Sequence, residues 1–172
     1  MLTTLSIRDV VLIARLDLSF GPGLSVLTGE TGAGKSILLD ALGLALGMRA
    51  ESRLVRHGAE RASVTAAFEV AAGHPVHDFL RKHGLAVPDG ELVLRRVLGA
   101  DGRSVAFVND QPVTVQLLKE AGETLVEIHG QFESQRLLNV AAHRELLDAY
   151  GGLGGDLDKV RDDHAAWVET AR

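Results

Sequence analysis

The chain has 172 residues, 46% hydrophobic and 24% charged, with 18 Lys and Arg against 23 Asp and Glu. This is enough apolar material for one domain with a sizeable core, and the lack of cysteine excludes a disulfide framework and any cysteine-ligated zinc or iron–sulfur centre. A net charge of −5 leaves no general basic footprint for nucleic acid, and 5 Phe, 1 Trp and 1 Tyr are too few for a base-stacking platform.

The first thirty residues read as short strands. Leu2–Ile7 alternates, and Ile13–Phe20 places Leu16, Leu18 and Phe20 on one face. Gly21-Pro22-Gly23 is a turn signal, and the apolar run Leu24–Thr28 suits a buried strand. A helix is predicted from Lys35, with Leu38, Ala41, Leu42, Ala45 and Leu46 as its buried stripe and Gly47 as its stop. Residues 49–61 form a loop carrying Arg49, Arg53, Arg56 and Arg61. Ala62–Val70 reads as a strand and Val76–His83 as a short helix ending at Gly84. Leu92–Leu98 and Ser104–Val108 are strands joined by the hairpin signal Gly99-Ala-Asp-Gly102. Thr114–Ala121 follows as a helix closed by Gly122, then Leu125–His129 as a strand and Ala141–Tyr150 as a helix.

The last segment has a different period. Leu153, Leu157, Val160, His164, Trp167 and Ala171 recur at alternating intervals of four and three, the seam of a coiled coil, and no Gly, Asn or Pro follows to stop the helix. The expected division is therefore 1–152 for a globular lobe and 153–172 for the start of a coil. No apolar run approaches the ~20 residues that a membrane span needs, and the N-terminal residues lack the apolar region of a signal peptide, so no membrane contact and a cytoplasmic location are expected.

Gly29-Glu30-Thr31-Gly32-Ala33-Gly34-Lys35-Ser36 matches the phosphate-binding loop G-x-x-x-x-G-K-[ST] at every fixed position. The glycines let successive N–H groups turn into one anion-sized hollow, and the following helix adds partial positive charge at its N-terminus. Lys35 would reach the β- and γ-phosphates, and the Ser36 hydroxyl would ligate Mg²⁺. Hydrolysis also needs a carboxylate on a neighbouring strand. Val105–Val108 followed by Asn109-Asp110 is the nearest candidate, but it lies on a hairpin arm and reads as a decoy. Gln131, just after the strand Leu125–His129, remains as a ligand for Mg²⁺ or an orienter of water. Taken on residue type alone, a loop or capping glutamine is the stronger reading there.

Together the opening strand pair, GETGAGKS, RSVAFVNDQPVT and LVEIHGQFESQ resemble the RecN family of bacterial DNA repair proteins, in the SMC-like branch of the ABC-type ATPases. The resemblance runs to about residue 152. It implies an α/β P-loop head lobe with a mixed sheet, β-hairpins and a C-terminal helix that starts a coiled coil. In that family the head is split in sequence, so Gly29–Ser36 would be the Walker A loop and Gln131 the Q-loop glutamine. No residue matches the Walker B acid or the signature motif, and Phe132-Glu133-Ser134 departs from a His-rich Q-loop segment. The resemblance further implies ATP and Mg²⁺ as ligands and a C-terminal lobe of the same head as partner. A second copy would join in ATP-dependent head closure, and DNA would be held without sequence preference, in association with the nucleoid. The isolated chain would bind nucleotide weakly and hydrolyse it poorly.

Two other readings use the same residues: a self-contained P-loop kinase or GTPase, and a non-catalytic scaffold that dimerises through the coil. The arginines at 49, 53, 56 and 61 suit phosphate oxygens, although Glu51 and Glu60 offset them. His74, His77 and His83 read as surface side chains, not as a metal cluster.

Overall fold

The computed structural model describes residues 1–30, 34–85, 90–126, 128, 143–144, 147–148 and 150–170. It divides into two compact units, Met1–Glu127 and Ile128–Arg172.

The first unit is built on a six-stranded sheet, with strands β1 (Leu2–Val10), β2 (Ile13–Ser19), β3 (Arg61–Glu69), β4 (Glu91–Gly99), β5 (Ser104–Val108) and β6 (Gln111–Val113). Their order is β2-β1-β3-β4-β5-β6, and every pairing is antiparallel. One face is apolar because alternation places every second side chain on it: Leu5 and Ile7, then Ala62, Val64, Ala66 and Phe68, then Leu92, Leu94 and Leu98, then Ala106 and Val108. Asp9 takes a positive φ of 51°, which breaks the alternation and lets Val10 turn inward as well.

Three helices accompany this sheet: α1 (Lys35–Ala45), α2 (Pro75–Lys82) and α3 (Val115–Leu125). Helix α1 lies on β1, β3 and β4, α3 on β5, and α2 on α3. The buried side of α1 carries Ala41, Leu44 and Ala45. Leu38 and Leu42, expected at the centre of the stripe, are only half-buried. The helix is rotated towards its small residues, which allow a close approach to the sheet. His74 and Thr114 cap α2 and α3 by accepting from the amides of Val76 and Leu117.

The structure corrects three expectations. Leu24–Thr28 is not in a strand, and Leu24, Val26 and Leu27 are 92%, 70% and 50% exposed. A buried strand needs neighbours on both sides, and among the described residues none pairs with this run. Gly122 does not end its helix. It sits inside α3, where a Cβ would lie 2.9 Å from the carbonyl oxygen of Leu46, and Leu125, expected in a strand, is the last helical residue. Val126 is extended, whereas residue 127 and residues 129–142, with the last residue of the predicted strand and Gln131, lie outside the described residues. Third, β6 was not anticipated. Asn109 and Asp110 have φ of 46° and 62°, the left-handed pair that a tight two-residue hairpin needs.

In the second unit, His143, Arg144, Leu147, Asp148 and Tyr150 are helical, Gly152 turns with φ of 67°, and α4 (Gly154–Thr170) follows. No described residue of α4 is buried, and Val160 and Trp167 are 63% and 65% exposed.

Candidate phosphate-binding site

The site begins at the junction of an extended loop and α1. Residues 24–30 form no regular element and are exposed. Gly34, the N-cap of α1, has φ 91° and ψ 4°, a left-handed conformation that a β-carbon would strain. Glycine is therefore needed here for the sharp reversal from loop to helix. No side chain caps α1, and its first turn holds no acidic residue. The first helical amides therefore lack a side-chain cap, and an uncapped terminus with its helix dipole is suited to an anion.

Lys35 supplies the fixed charge. Its Nζ folds back over the loop, donating to the carbonyl oxygen of Glu30 at 2.7 Å and also to that of Gly29. Ser36 stands exposed in the first turn. The Lys35 ammonium thus ties Gly29 and Glu30 to the N-terminus of α1, where Gly34 and Ser36 stand. Thr31, Gly32 and Ala33 of the same motif lie outside the described residues, as does Gln131. The donor set suits a phosphate chain with its magnesium ion: uncapped amides, one ammonium and one hydroxyl, with no carboxylate in the helix's first turn.

The remaining candidates have other employment. Asp110 sits in the β5–β6 turn and pairs with Arg95 at 3.0 Å, so Val105–Asp110 is a hairpin arm and not a magnesium-bearing parallel strand. Arg53 pairs with Glu51 at 2.6 Å and Arg56 with Asp9 at 3.7 Å. Arg49 and Arg61 make no ion pair among the described residues. The arginine loop is also tied to the β1–β2 hairpin: the Val11 amide donates to Leu54, the Arg56 amide donates to Asp9, and Val10 bridges Val55. That strap joins residues far apart in sequence and left no local signal. His77 and His83 engage the backbone carbonyls of Ala71 and Phe79, and His74 is the α2 cap.

Outside this loop, two electrostatic features stand out. The Asp17 carboxyl is held down at about 2, chiefly by the Arg8 guanidinium at 2.7 Å, then by the Ser6 hydroxyl and Arg15. Arg96, on the core face of β4, is only 3% exposed. Its place was readable in the alternation Leu92, Leu94, Arg96, Leu98, which puts it in line with buried leucines.

The family model for the AAA domain matches residues 4–139. The chain belongs to the AAA-domain family. It is 46% identical over 167 residues to the DNA repair protein RecN of Xylella fastidiosa, covering 97% of this chain and 30% of that protein. Against the DNA repair protein RecN of Haemophilus influenzae it is 44% identical over 169 residues, again 97% of this chain and 30% of the other. The chain thus spans about 30% of the length of these relatives and corresponds to their N-terminal part. The crystal structure of an Smc head domain with an extended coiled coil, bound to the C-terminal domain of ScpA and derived from Pyrococcus furiosus, is similar with a TM-score of 0.67. Identity is 20%, with coverage of 99% of this chain and 46% of that one, so this likeness concerns the fold. Among the described residues no helix is long and apolar enough to cross a membrane.

Proposed function

We propose that this chain is the ATP-binding N-terminal lobe of an SMC-like ATPase head acting in DNA double-strand-break repair and recombination. The observation that carries the proposal is the uncapped N-terminus of α1, entered through left-handed Gly34 and overlaid by the Lys35 ammonium. The RecN relatives, named as DNA repair proteins, and the SMC-type fold favour this over a self-contained kinase or GTPase and over a non-catalytic scaffold.

In this reading Gly29–Ser36 holds the phosphates: Gly32, Gly34 and neighbouring amides embrace the β-phosphate, while Lys35 spans β and γ. Ser36 and Gln131 would hold Mg²⁺, which supplies neutralisation of the charge that builds between the β- and γ-phosphates. Gln131 would also orient the attacking water through its side-chain oxygen.

The lobe is incomplete as an enzyme in this reading, because the carboxylate nearest to a Walker B pattern, Asp110, sits in the β5–β6 turn paired with Arg95. The exposed run Leu24–Thr28 supports a C-terminal lobe of the same protein as the missing neighbour, since adjoining strands would bury it. The exposed a/d row of α4 supports 153–172 as one arm of a coil. A second copy would then close over nucleotide, and the coils would transmit that closure to DNA, held through its backbone without sequence preference.

The test is ATP turnover by the full-length protein, with and without DNA, beside the isolated 1–172 chain. Turnover by the full-length protein should vanish on Lys35→Ala and fall sharply on Gln131→Ala, with little turnover by the isolated chain. An isolated chain as active as the whole protein would overturn the split-head reading.

A further inference from the structure

Lys35 and Asp40 are the charged side chains of α1; apart from Ser36, the rest of the helix is apolar or glycine. Lys35 is engaged, its ammonium donating to the carbonyl oxygens of Gly29 and Glu30. Asp40 is not. It is half-buried, yet among the described residues it makes neither a hydrogen bond nor an ion pair. The positions from which a helical neighbour could answer it, Ser36, Ile37, Gly43 and Leu44, hold no base. Beyond the helix, Arg53 is paired with Glu51, Arg56 with Asp9 and Lys119 with Glu123.

Helix formation does not explain this carboxylate either. Aspartate is among the poorer helix formers, and beyond the first turn its charge gains little from the helix dipole. Its place on α1 is more telling. Residues four apart share one face, with Cβ atoms about 5–6 Å apart, which sets Asp40 one turn behind Ser36. Long and polar side chains of a helix lean towards its N-terminus, so the patch that Asp40 covers is the turn that begins with Lys35 and Ser36. Ser36 is itself exposed, and this side of the turn is open to a ligand.

We infer that Asp40 is a positioning residue for the magnesium ion of the nucleotide, accepting a hydrogen bond from a water of the ion's shell on the Ser36 side. The inference rests on the reading of Gly29–Ser36 as the nucleotide site. A carboxylate one turn behind Ser36 is set too far back to share its metal, but one water molecule spans such a gap. Magnesium keeps several waters when it is bound by phosphates, and those waters are donors in need of acceptors. Lys35 offers donors alone; Asp40 offers the acceptor. Acceptors that hold a metal's ligands in place are worth about tenfold or more in metal affinity. The same carboxylate repels a bare triphosphate, so it helps binding when the metal is present and not otherwise.

That difference of sign is what isothermal titration of the full-length protein reads, with ATP added once in magnesium and once in EDTA. Asp40→Asn, nearly equal in shape, should weaken binding in magnesium about tenfold and leave binding in EDTA unchanged or tighter. Lys35→Ala, by contrast, should weaken both, because its ammonium meets the phosphates directly. Asp40→Ser carries the test if the Asn variant does not fold.

Equal weakening with and without the metal, the mark of a purely structural role, would overturn the inference. So would a magnesium effect that survives unchanged in the Asp40 variant. Absence of ATP uptake by the wild type would be a different failure: it would fell the nucleotide reading itself, and this inference with it.

Discussion

Glycine-to-alanine changes at positions 43 and 47, only four residues apart, should have opposite effects on stability. Gly43 lies inside α1, where alanine gains about 1 kcal/mol of helix propensity. Its added Cβ would meet the Met48 Sδ at 2.7 Å, the mobile end of a side chain 42% exposed and free to turn away. Gly47 differs twice over. Its φ is +82°, where a Cβ costs about 1–2 kcal/mol. The new atom would also fall 2.6 Å from the backbone nitrogen of Lys119 and 2.7 Å from its Cα, in a helix that cannot yield without moving. Overpacking of that kind adds about 1–3 kcal/mol, against a gain of only about 0.4–1 kcal/mol from a stiffer unfolded chain. The expected balance is a loss of about 2–4 kcal/mol for Gly47→Ala. For Gly43→Ala the change should lie between zero and about +1 kcal/mol. Urea unfolding followed by circular dichroism reads both as shifts in midpoint at constant slope. Should Gly47→Ala fall within about 0.5 kcal/mol of wild type, the tight contact between Gly47 and α3 would be wrong.

Other expected outcomes follow from single contacts. Thr114→Ala removes the side-chain cap of α3 and should cost about 1 kcal/mol in the same unfolding assay, with Thr114→Ser near wild type. Phe107→Leu removes the ring beneath the Arg95 guanidinium, 3.9 Å from its centroid, and should cost about 0.5–1 kcal/mol, with little further loss when Arg95 is also changed. The Asp17 carboxyl should titrate by NMR at about 2, and its contribution to stability, present above the ordinary carboxylate pKa of about 4, should be lost as pH falls towards 2. Arg8→Gln should move that midpoint upward; an unmoved midpoint would remove Arg8 as the cause.

The sheet was largely legible because its signals are local. Alternation along 62–70 and 92–98 and the Gly99–Gly102 turn lie within a few residues of each other, and the structure places β3, β4 and β5 accordingly. The helix that starts at Lys35 was equally plain, since a motif of residue types at fixed spacing leads into it. Most of what escaped the sequence depended on partners distant in the chain. Leu24–Thr28 has the composition of a buried strand, but composition does not create a neighbour, and the run stays exposed. Gly122 resembled a helix stop because glycine ends helices more often than it fills them; its actual reason is the Leu46 backbone pressed against it. The turn at Asn109-Asp110 was missed because Asp110, not glycine, takes the second left-handed position. The Asp9–Arg56 strap closes a long loop and is not encoded by spacing.

The most direct measurement is isothermal titration of magnesium-ATP into the full-length protein, wild type beside Lys35→Ala. Saturable uptake by the wild type, weakened at least about tenfold by the loss of one ammonium among the phosphate contacts, is the predicted result. Equal affinity in the two proteins, or no uptake by either, would contradict the assignment of the loop before α1 as the nucleotide site.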